Sequence, residues 1–369
     1  MSDIAVVYRQ LAGAKNYLEV FGPCDHGVKP EVHIKKVYRR LARNVHPDKY
    51  AQSDEKDMAQ EAFKLLGRFF ETAKKAAARG DYGNVPKVVV ATRRAEYEVG
   101  ELLVRGEIAD IYAATKRATS GDLVMKIARI PLDNDLLATE ARALTVLRDH
   151  NGDPKLYPFF PELLDSFVYR DEHSVHRRAN VQGRLEGWYT LEEVRAAYPD
   201  GVSPLDMAWI WRRLLWLLGY AHERGLLHGA VTPDHILILP GQHGVMLVDW
   251  CYSQQSDADG GFQPLKAVSG EYQGWYPREV TEKVAPSFGT DIYMASRSMV
   301  YLMGGESIEG LGAQVPRAFK AYFRGCMQEN HKVRPQGAWE LLGEFDELLE
   351  RIGRPYFPRS FHLFTVPIH

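Results

Sequence analysis

The sequence predicts an α+β protein of two domains, in which an all-α helical hairpin precedes a larger domain that begins with strands and ends with helices. The length of 369 residues exceeds one average domain and suits two. Upstream of residue 80, apolar residues recur at spacings of three and four, as in amphipathic helices, whereas β-branched runs follow downstream. Residues 79–86 contain glycines, an asparagine and a proline and indicate a linker. We place the boundary near residue 84, which gives domains of residues 1–84 and 85–369.

Composition argues against several classes of protein. The formal charge of −2 is too balanced to indicate nucleic acid or an anionic membrane as a general partner. No run of 18 apolar residues is present to span a bilayer. The first residues lack the basic and apolar segments of a signal peptide. Three distant cysteines, Cys24, Cys251 and Cys326, fit neither a disulfide framework nor a zinc cluster, so we expect a cytoplasmic protein.

The charge is divided unevenly between the two domains. Residues 1–86 contain 15 lysines and arginines against 11 acidic residues and stand at +4, which leaves −6 for the remaining 283. The near-neutral total therefore conceals a basic first domain, and a basic domain suits an acidic partner.

Two amphipathic helices are predicted in the first domain, from Pro30 to Val45 and from Asp54 to about Arg79. Facing apolar stripes and a tight connection predict an antiparallel hairpin. The stripes are Ile34, Tyr38, Leu41 and Val45 on the first helix, and Met58, Ala62, Leu65, Phe69 and Ala73 on the second. The first helix also has two rows of cations at i+4 spacing, which we call the basic rows: Lys35, Arg39 and Arg43, with Lys36 and Arg40 beside them.

The connection between the two helices reads His46-Pro47-Asp48-Lys49. Pro47 opposes continuation of the helix. Together with the tyrosine-containing segment at residues 16–22 and the basic helix, this connection resembles the J domain of DnaJ-type co-chaperones. The resemblance implies that His46, Pro47 and Asp48 engage a DnaK-type chaperone and stimulate its ATP hydrolysis.

The same resemblance implies that the basic rows meet an acidic surface of that chaperone. Rows of cations steer an acidic partner and fix its orientation more than they add affinity. The alternative interpretation is a solvated helix face followed by an ordinary turn. The Gly/Phe-rich linker and the cysteine-rich zinc module of DnaJ itself are missing, so an unknown protein client must bind elsewhere.

Strands precede helices in the second domain. Strand patterns occupy parts of residues 87–112, 123–127, 167–169 and 178–181, and a helix is predicted from about Asp133 to Arg148. Ser203 and Pro204 form a clear helix start, with serine as N-cap and proline at the first position. From Thr290 onward the pattern is nearly all helical.

Seven landmarks in this domain stand in the order found in protein kinases, which the segment resembles over nearly its whole length. Residues 227–237 occupy the catalytic loop, and Asp249-Trp250-Cys251 stands where Asp-Phe-Gly is expected. The others are Gly106 in the phosphate-covering loop, the phosphate-pairing Lys126, its partner Glu140, Glu279 with the late Arg334, and Asp291.

The resemblance implies a bilobal fold with an antiparallel β-rich N-lobe at about residues 93–182, a mostly helical C-lobe at about 183–353 and an extended tail at 354–369. It also implies that ATP, with Mg²⁺ on Asp249, would be held by Gly106, Lys126, Glu140 and Asp249.

Departures from the kinase pattern predict a pseudokinase. The aspartate that would accept the substrate proton is replaced by Ala230, and His235 replaces an asparagine that would hold a second Mg²⁺, an ion that prefers oxygen ligands. Val104 and Ala109 replace two glycines of the phosphate-covering loop. Only ten residues lie between Gly305 and Pro316, so a helix that often docks substrates is shortened or absent. Because phosphoryl transfer depends on positioning and charge neutralisation, these losses are severe.

Several alternatives remain open at this point. Lys126, Glu140 and Asp249 either hold a nucleotide with one Mg²⁺ or only keep the lobes together. Asp234 would replace the missing base if the protein were an active atypical serine/threonine kinase regulated by chaperone binding. A scaffold that uses the J domain only for docking is a third possibility. We expect His228 to be a packed core residue and the tail to lie on the body, rather than to form an interaction segment.

Overall fold

The computed structural model describes residues 4, 7, 8, 11, 14, 16–24, 28–50, 55–83, 88–117, 121–149, 154–171 and 174–367. The chain divides into two compact units, Met1–Lys87 and Val88–His369. The boundary that we predict near residue 84 lies outside the described residues. Within the described ranges, no helix is both long enough and apolar enough to cross a membrane.

The first unit is helical where it is described. Its helices are α1 (Tyr17–Phe21), α2 (Pro30–Val45) and α3 (Lys56–Ala78), and a 3₁₀ turn at Pro47–Tyr50 lies between α2 and α3. The side chain of Asn16 caps α1 by accepting the backbone N–H groups of Leu18 and Glu19. Pro30 opens α2, where the missing N–H of proline costs nothing.

The helices enclose one apolar core, and the predicted stripe of α3 is right at Ala62 and Ala73, whereas Met58, Leu65 and Phe69 lie at the edge of this core. The buried residues of α3 are Ala59, Ala62, Leu66, Ala73 and Ala77. Met58 and Leu65, which we predict to face the core, are only half-buried, because the centre of the contact lies one position further along the helix, at Ala59 and Leu66. Likewise Tyr38 is half-buried on α2, where its ring lies against that of Phe70 with centroids 4.1 Å apart.

The second unit opens with a six-stranded antiparallel sheet, counted over the described residues, in the order β1-β2-β3-β4-β6-β5. One helix, α4 (Asn134–Leu147), accompanies it. The predicted lower bound of the N-lobe, residue 93, omits β1, which pairs along its whole length with β2. The strands are β1 (Val88–Ala91), β2 (Glu96–Arg105), β3 (Ala109–Lys116), β4 (Asp122–Ala128), β5 (Leu163–Arg170) and β6 (His176–Gly183).

Helices dominate the rest of the second unit. They are α5 (Leu191–Ala197), α6 (Pro204–Glu223), α7 (Arg278–Thr281), α8 (Phe288–Leu302), α9 (Arg317–Cys326) and α10 (Ala338–Ile352). Short strands lie among them: β7 (Tyr189–Thr190), β8 (Leu226–Leu227), β9 (Ile236–Leu239), β10 (Gly244–Leu247) and β11 (Gln254–Gln255). Ser203 caps α6 by accepting the N–H of Asp206, and residues 303–316, which are all described, form turns and no helix. The α+β prediction is confirmed.

The C-terminal tail lies on the body of the second unit as far as residue 367. Phe364 is 4% exposed and stacks on Tyr198 with ring centroids 5.9 Å apart. His362 places Nε2 2.7 Å from Oδ1 of Asp206 at the start of α6. Phe361 and Leu363 remain exposed, so the tail is held by a few anchors.

Candidate functional site

The His46-Pro47-Asp48 turn projects from the end of α2. His46 ends the helix in an extended conformation, and the backbone N–H of Asp48 donates to its Nδ1 over 3.3 Å. The edge of the His46 ring meets the ring of Phe63 on α3, with centroids 5.3 Å apart. The Asp48 side chain is 91% exposed and the His46 side chain 50% exposed. Both polar groups are therefore accessible to a partner.

The basic rows lie beside this turn on the solvent side of α2. All five cations, Lys35, Lys36, Arg39, Arg40 and Arg43, are exposed. None of them forms an ion pair with any residue that the structure describes. Their positive charge is thus available to steer an acidic surface.

In the second unit, Lys126 on β4 joins two carboxylates that come from distant parts of the chain. Its ammonium donates to Glu140 of α4 over 3.0 Å and to Asp249 over 2.8 Å. Burial alone would lower the pKa of Lys126, but the neighbouring charges raise that pKa well above its ordinary value. Burial likewise opposes ionisation of Asp249, whereas Lys126 and His235 hold its pKa well below the usual range. Lys126 and Asp249 are therefore both charged at neutral pH.

Asn180 holds the second oxygen of Glu140, a contact that sequence reasoning missed. Its side-chain amide donates to Glu140 Oε2 over 2.8 Å and to the carbonyl of Leu137 over 2.9 Å. Asn180 is fully buried and lies directly opposite Lys126 in the pairing of β4 with β6. The strand His176–Gly183 also contains a histidine, two arginines and a glutamine, so its sequence does not single out Asn180, and only the strand register shows what this residue contacts.

Aromatic side chains connect α4 to the catalytic-loop region. Trp250 is fully buried, its ring centroid lying 4.5 Å from that of His228 and 6.0 Å from that of Phe160. Asp291 of α8 accepts the backbone N–H groups of His228 and Gly229, each over 2.8 Å. These contacts hold the catalytic loop against the body of the second unit, and His228 is a packed core residue, as predicted.

The buried His228 makes stability depend on pH. Burial lowers its pKa to about 4, against about 6.5 for an unfolded histidine. Between these two pKa values, His228 binds a proton in the unfolded chain but not in the folded chain. The contribution of the neutral His228 to the free energy of unfolding is therefore complete above pH of about 6.5 and is lost as the pH falls toward about 4. We expect a loss of about 3 kcal/mol at the lower end. Thermal unfolding of the full chain between pH of about 7.5 and about 5 measures the slope, and an equal slope in His228→Phe would contradict the prediction.

Ala230, which we predict to stand in place of a catalytic base, is fully buried in an apolar cluster. Its neighbours in that cluster include Ile108 and Ala109 from the predicted phosphate-covering loop, and Cys251 and Tyr252 from the turn after β10. A polyanion placed against such side chains loses hydration without gaining hydrogen bonds. The cluster around Ala230 therefore offers no charged side chain to a phosphate, and contacts to a nucleotide phosphate would have to come from Lys126.

His235 stands at the position predicted for a ligand of a second Mg²⁺. Its Nδ1 lies 2.8 Å from the carbonyl oxygen of Ala230, a contact in which the ring N–H donates. Its Nε2 faces Asp234 at 3.3 Å and Asp249 at 3.5 Å. The imidazole thus interacts with two carboxylates through nitrogen, and nitrogen is a poor ligand for the hard Mg²⁺ ion.

Glu107, which sequence reasoning also missed, ties the phosphate-covering loop to the segment after Cys251. The backbone N–H of Gly270 lies 3.0 and 2.9 Å from its two carboxylate oxygens, and the Ser269 hydroxyl donates to it over 3.3 Å. A Cβ at Gly270 would lie 2.6 Å from Glu107 Oε1, so the Glu107 carboxylate would have to shift if this glycine were replaced. In the same loop, a Cβ at Gly106 would lie 2.4 Å from the carbonyl of Ala109, so Gly106 also shapes the turn.

One trio of side chains has the proximity of a metal site. Ligand atoms of Glu140, Asp249 and Cys251 lie within 4.8 Å of one another. The ammonium of Lys126 contacts all three, reaching the Cys251 sulfur at 3.4 Å. Lys126 therefore already supplies the cation for this trio. A single Mg²⁺ ion would be held here by Asp249 through its second carboxylate oxygen, which lies 3.5 Å from His235 Nε2 and is not the oxygen that Lys126 contacts.

Comparison with known proteins identifies both parts of the chain. Residues 27–83 match the DnaJ domain model. The chain is 26% identical over 159 residues to a probable serine/threonine-protein kinase of Dictyostelium discoideum, covering 42% of this chain and 23% of the relative. It is 23% identical over 154 residues to the casein kinase II subunit alpha' of Saccharomyces cerevisiae, covering 42% and 41%. It is also 23% identical over 223 residues to the serine/threonine-protein kinase D of Synechocystis sp., covering 56% and 40%.

The chain spans less than half the length of each of these kinases. The matches agree with a helical first unit and with a second unit in which a β-rich lobe precedes a helical one. The chain therefore carries a DnaJ domain fused to a kinase-like region.

Proposed function

We propose that this protein is a co-chaperone whose DnaJ domain recruits a DnaK-type chaperone and stimulates its ATP hydrolysis. A DnaJ domain implies co-chaperone function with the heat-shock 70 class. The observation that supports the proposal best is the exposed His46-Pro47-Asp48 turn at the end of a helix whose basic rows form no ion pair with a described residue. Single-turnover ATP hydrolysis by the chaperone, with and without the full chain, tests it. No stimulation of any cognate chaperone would overturn it.

The kinase-like region has, in this proposal, lost phosphoryl transfer and serves as a partner-binding and nucleotide-binding module. Ala230 has no ionisable group, and a positioned acid or base typically contributes a factor of about 10²–10⁴ in rate. His235 does not suit a second Mg²⁺ ion. The buried Lys126 with Glu140 and Asp249 supports the binding of one nucleotide with one Mg²⁺ ion, because this cation and these acids are held in place before any ligand arrives.

ATP with Mg²⁺ is expected to raise the melting temperature of the full chain. A ligand that binds only the folded state at 100 times its Kd stabilises by about 2.7 kcal/mol, which corresponds to roughly 5 °C for a region of this size. The shift is expected to disappear in Lys126→Met, measured against that variant's own melting temperature, and to persist in the control Lys332→Met, since Lys332 is exposed. A flat response of the wild type to saturating ATP would show that the cleft is empty.

One observation favours the alternative of an active atypical kinase. Asp234 Oδ1 is a buried atom without a hydrogen-bond partner in the described part of the chain, while Oδ2 lies 3.3 Å from His235 Nε2 and the side chain as a whole is 31% exposed. A carboxylate of this kind can accept a proton from a substrate hydroxyl. Transfer of radiolabel from ATP that vanishes in both Lys126→Ala and Asp249→Ala would establish this alternative. Chaperone binding without ATPase stimulation would instead indicate a scaffold.

A further inference from the structure

A groove of about 1490 Å³ in the kinase-like region is lined by α4, by β5 and by residues of the segment 251–267. Small or apolar side chains of α4, among them Ala138 and Ala141, form one wall. Phe167 and Val168 of β5 contribute to the wall on the sheet side, where Val168 is 47% exposed. Small residues on a helix face let the backbone of a partner approach closely, so this groove can accept a peptide segment.

The charges in the groove are mainly positive. It is lined by Arg93, Arg94, Arg142, Arg178 and Lys266, against two acids, Asp135 and Asp165. Asp165 is 4% exposed and already accepts hydrogen bonds from Thr92, Tyr97 and the N–H of Ser166. These neutral donors leave the charge of Asp165 in place, so five cations against two acids give the groove a net charge of +3.

The five cations form no ion pair with a residue that the structure describes. Arg94, Arg142 and Arg178 donate hydrogen bonds only to neutral groups, namely the carbonyl of Leu164 and the hydroxyls of Thr139 and Ser166. Arg178 also has a buried Nε without a hydrogen-bond partner in the described ranges. Such a donor costs free energy unless an acceptor reaches it.

We propose that this groove docks an acidic peptide segment carrying at least one apolar side chain, supplied by a client protein. The carboxylates pair with the five cations, and the apolar side chain packs between α4 and β5. This inference specifies the partner-binding role proposed above and rests on it. The groove is distinct from the basic rows of α2, which belong to the first unit.

Charge complementarity favours an acidic peptide over other occupants. Residues 87–369 carry a net charge of −6, so the body as a whole repels an acidic segment, whereas the groove attracts it. Single-stranded nucleic acid is also anionic, but it binds through aromatic platforms on which bases stack. The groove aromatics are Phe167, which is half-buried, and Tyr252, which is 6% exposed, so neither offers an open ring face of that kind.

The proposal is tested by measuring how the full chain changes the fluorescence anisotropy of a labelled peptide. The peptide consists of a single phenylalanine flanked by glutamates. We expect micromolar binding at about 50 mM salt that weakens at about 300 mM. The triple variant Arg93→Glu, Arg142→Glu, Lys266→Glu should weaken binding about tenfold or more. The matched control is Arg317→Glu, Arg351→Glu, Lys332→Glu, which makes the same charge change at exposed positions outside the groove and should bind like the wild type.

Three results would overturn the proposal: no peptide binding, equal weakening in the groove and control variants, or tighter binding of an oligouridylate of the same length. Stimulation of chaperone ATP hydrolysis is measured on the same proteins. Because the groove variants leave the DnaJ domain intact, peptide binding without ATPase stimulation would refute the co-chaperone proposal alone. Stimulation without peptide binding would refute the groove alone.

Discussion

Replacing His46 by glutamine is expected to return ATP hydrolysis by a DnaK-type chaperone to its unstimulated rate. The glutamine side chain can hydrogen-bond but does not reproduce the ring that meets Phe63 and accepts the N–H of Asp48. The turn then loses the arrangement that presents the Asp48 carboxylate. Single-turnover hydrolysis with the full chain in excess gives the rate directly.

The control for this experiment is His331→Gln, which makes the same chemical change in the kinase-like region and should leave stimulation unchanged. Because half of the His46 side chain is exposed, we expect helical circular dichroism and the melting temperature of the variant to match the wild type. If His46→Gln remained folded and kept full stimulation, the turn would not be the part of the chain that stimulates ATP hydrolysis by the chaperone.

Replacing Arg334 by methionine is expected to destabilise the kinase-like region by about 3–5 kcal/mol, because it leaves a buried carboxylate without its cation. Arg334 and Glu279 are each 3% exposed, and the guanidinium donates to both carboxylate oxygens, over 2.5 and 3.3 Å. Burial opposes the ionisation of Glu279, but the hydrogen bonds from Arg334 and Thr290 lower its pKa below the ordinary value. The melting temperature should fall by about 10 °C.

Arg278→Met is the matched control for this substitution. Arg278 pairs with Glu282 over 2.6 Å, but its side chain is 72% exposed, and exposed pairs contribute little to stability. The melting temperature of the Arg278→Met variant should equal that of the wild type. Equal decreases in melting temperature in the two variants would show that the Glu279–Arg334 pair does not stabilise the kinase-like region.

The landmarks that could be predicted from the sequence are those whose order along the chain is informative. Lys126, Glu140 and Asp249 lie far apart in sequence, yet a recognisable order sufficed to predict that they meet, and their contacts agree with that expectation. Ala230 and His235 could likewise be identified as departures from the kinase pattern, because the order of residue types in the catalytic loop of protein kinases is known. The expected nucleotide-binding role of these residues stays a prediction.

Contacts made across the fold could not be predicted in this way. Glu107 and Gly270 are 163 residues apart, and neither position differs visibly from an ordinary loop residue. Asn180 depends on strand register, which a single sequence leaves undetermined. The error at Met58 and Leu65 has a similar cause, since Ala59 and Leu66 beside them are also apolar and only the packing of the helices shows which of the two stripes is buried.

The proposal that the DnaJ domain stimulates a chaperone is tested most directly by comparing three proteins in chaperone ATPase assays: the wild type, His46→Gln and Lys126→Met. Stimulation that is lost in His46→Gln and retained in Lys126→Met is the predicted result, because the DnaJ domain acts on the chaperone without phosphoryl transfer by the kinase-like region. Stimulation that disappears in Lys126→Met, or that survives in His46→Gln, would contradict the account.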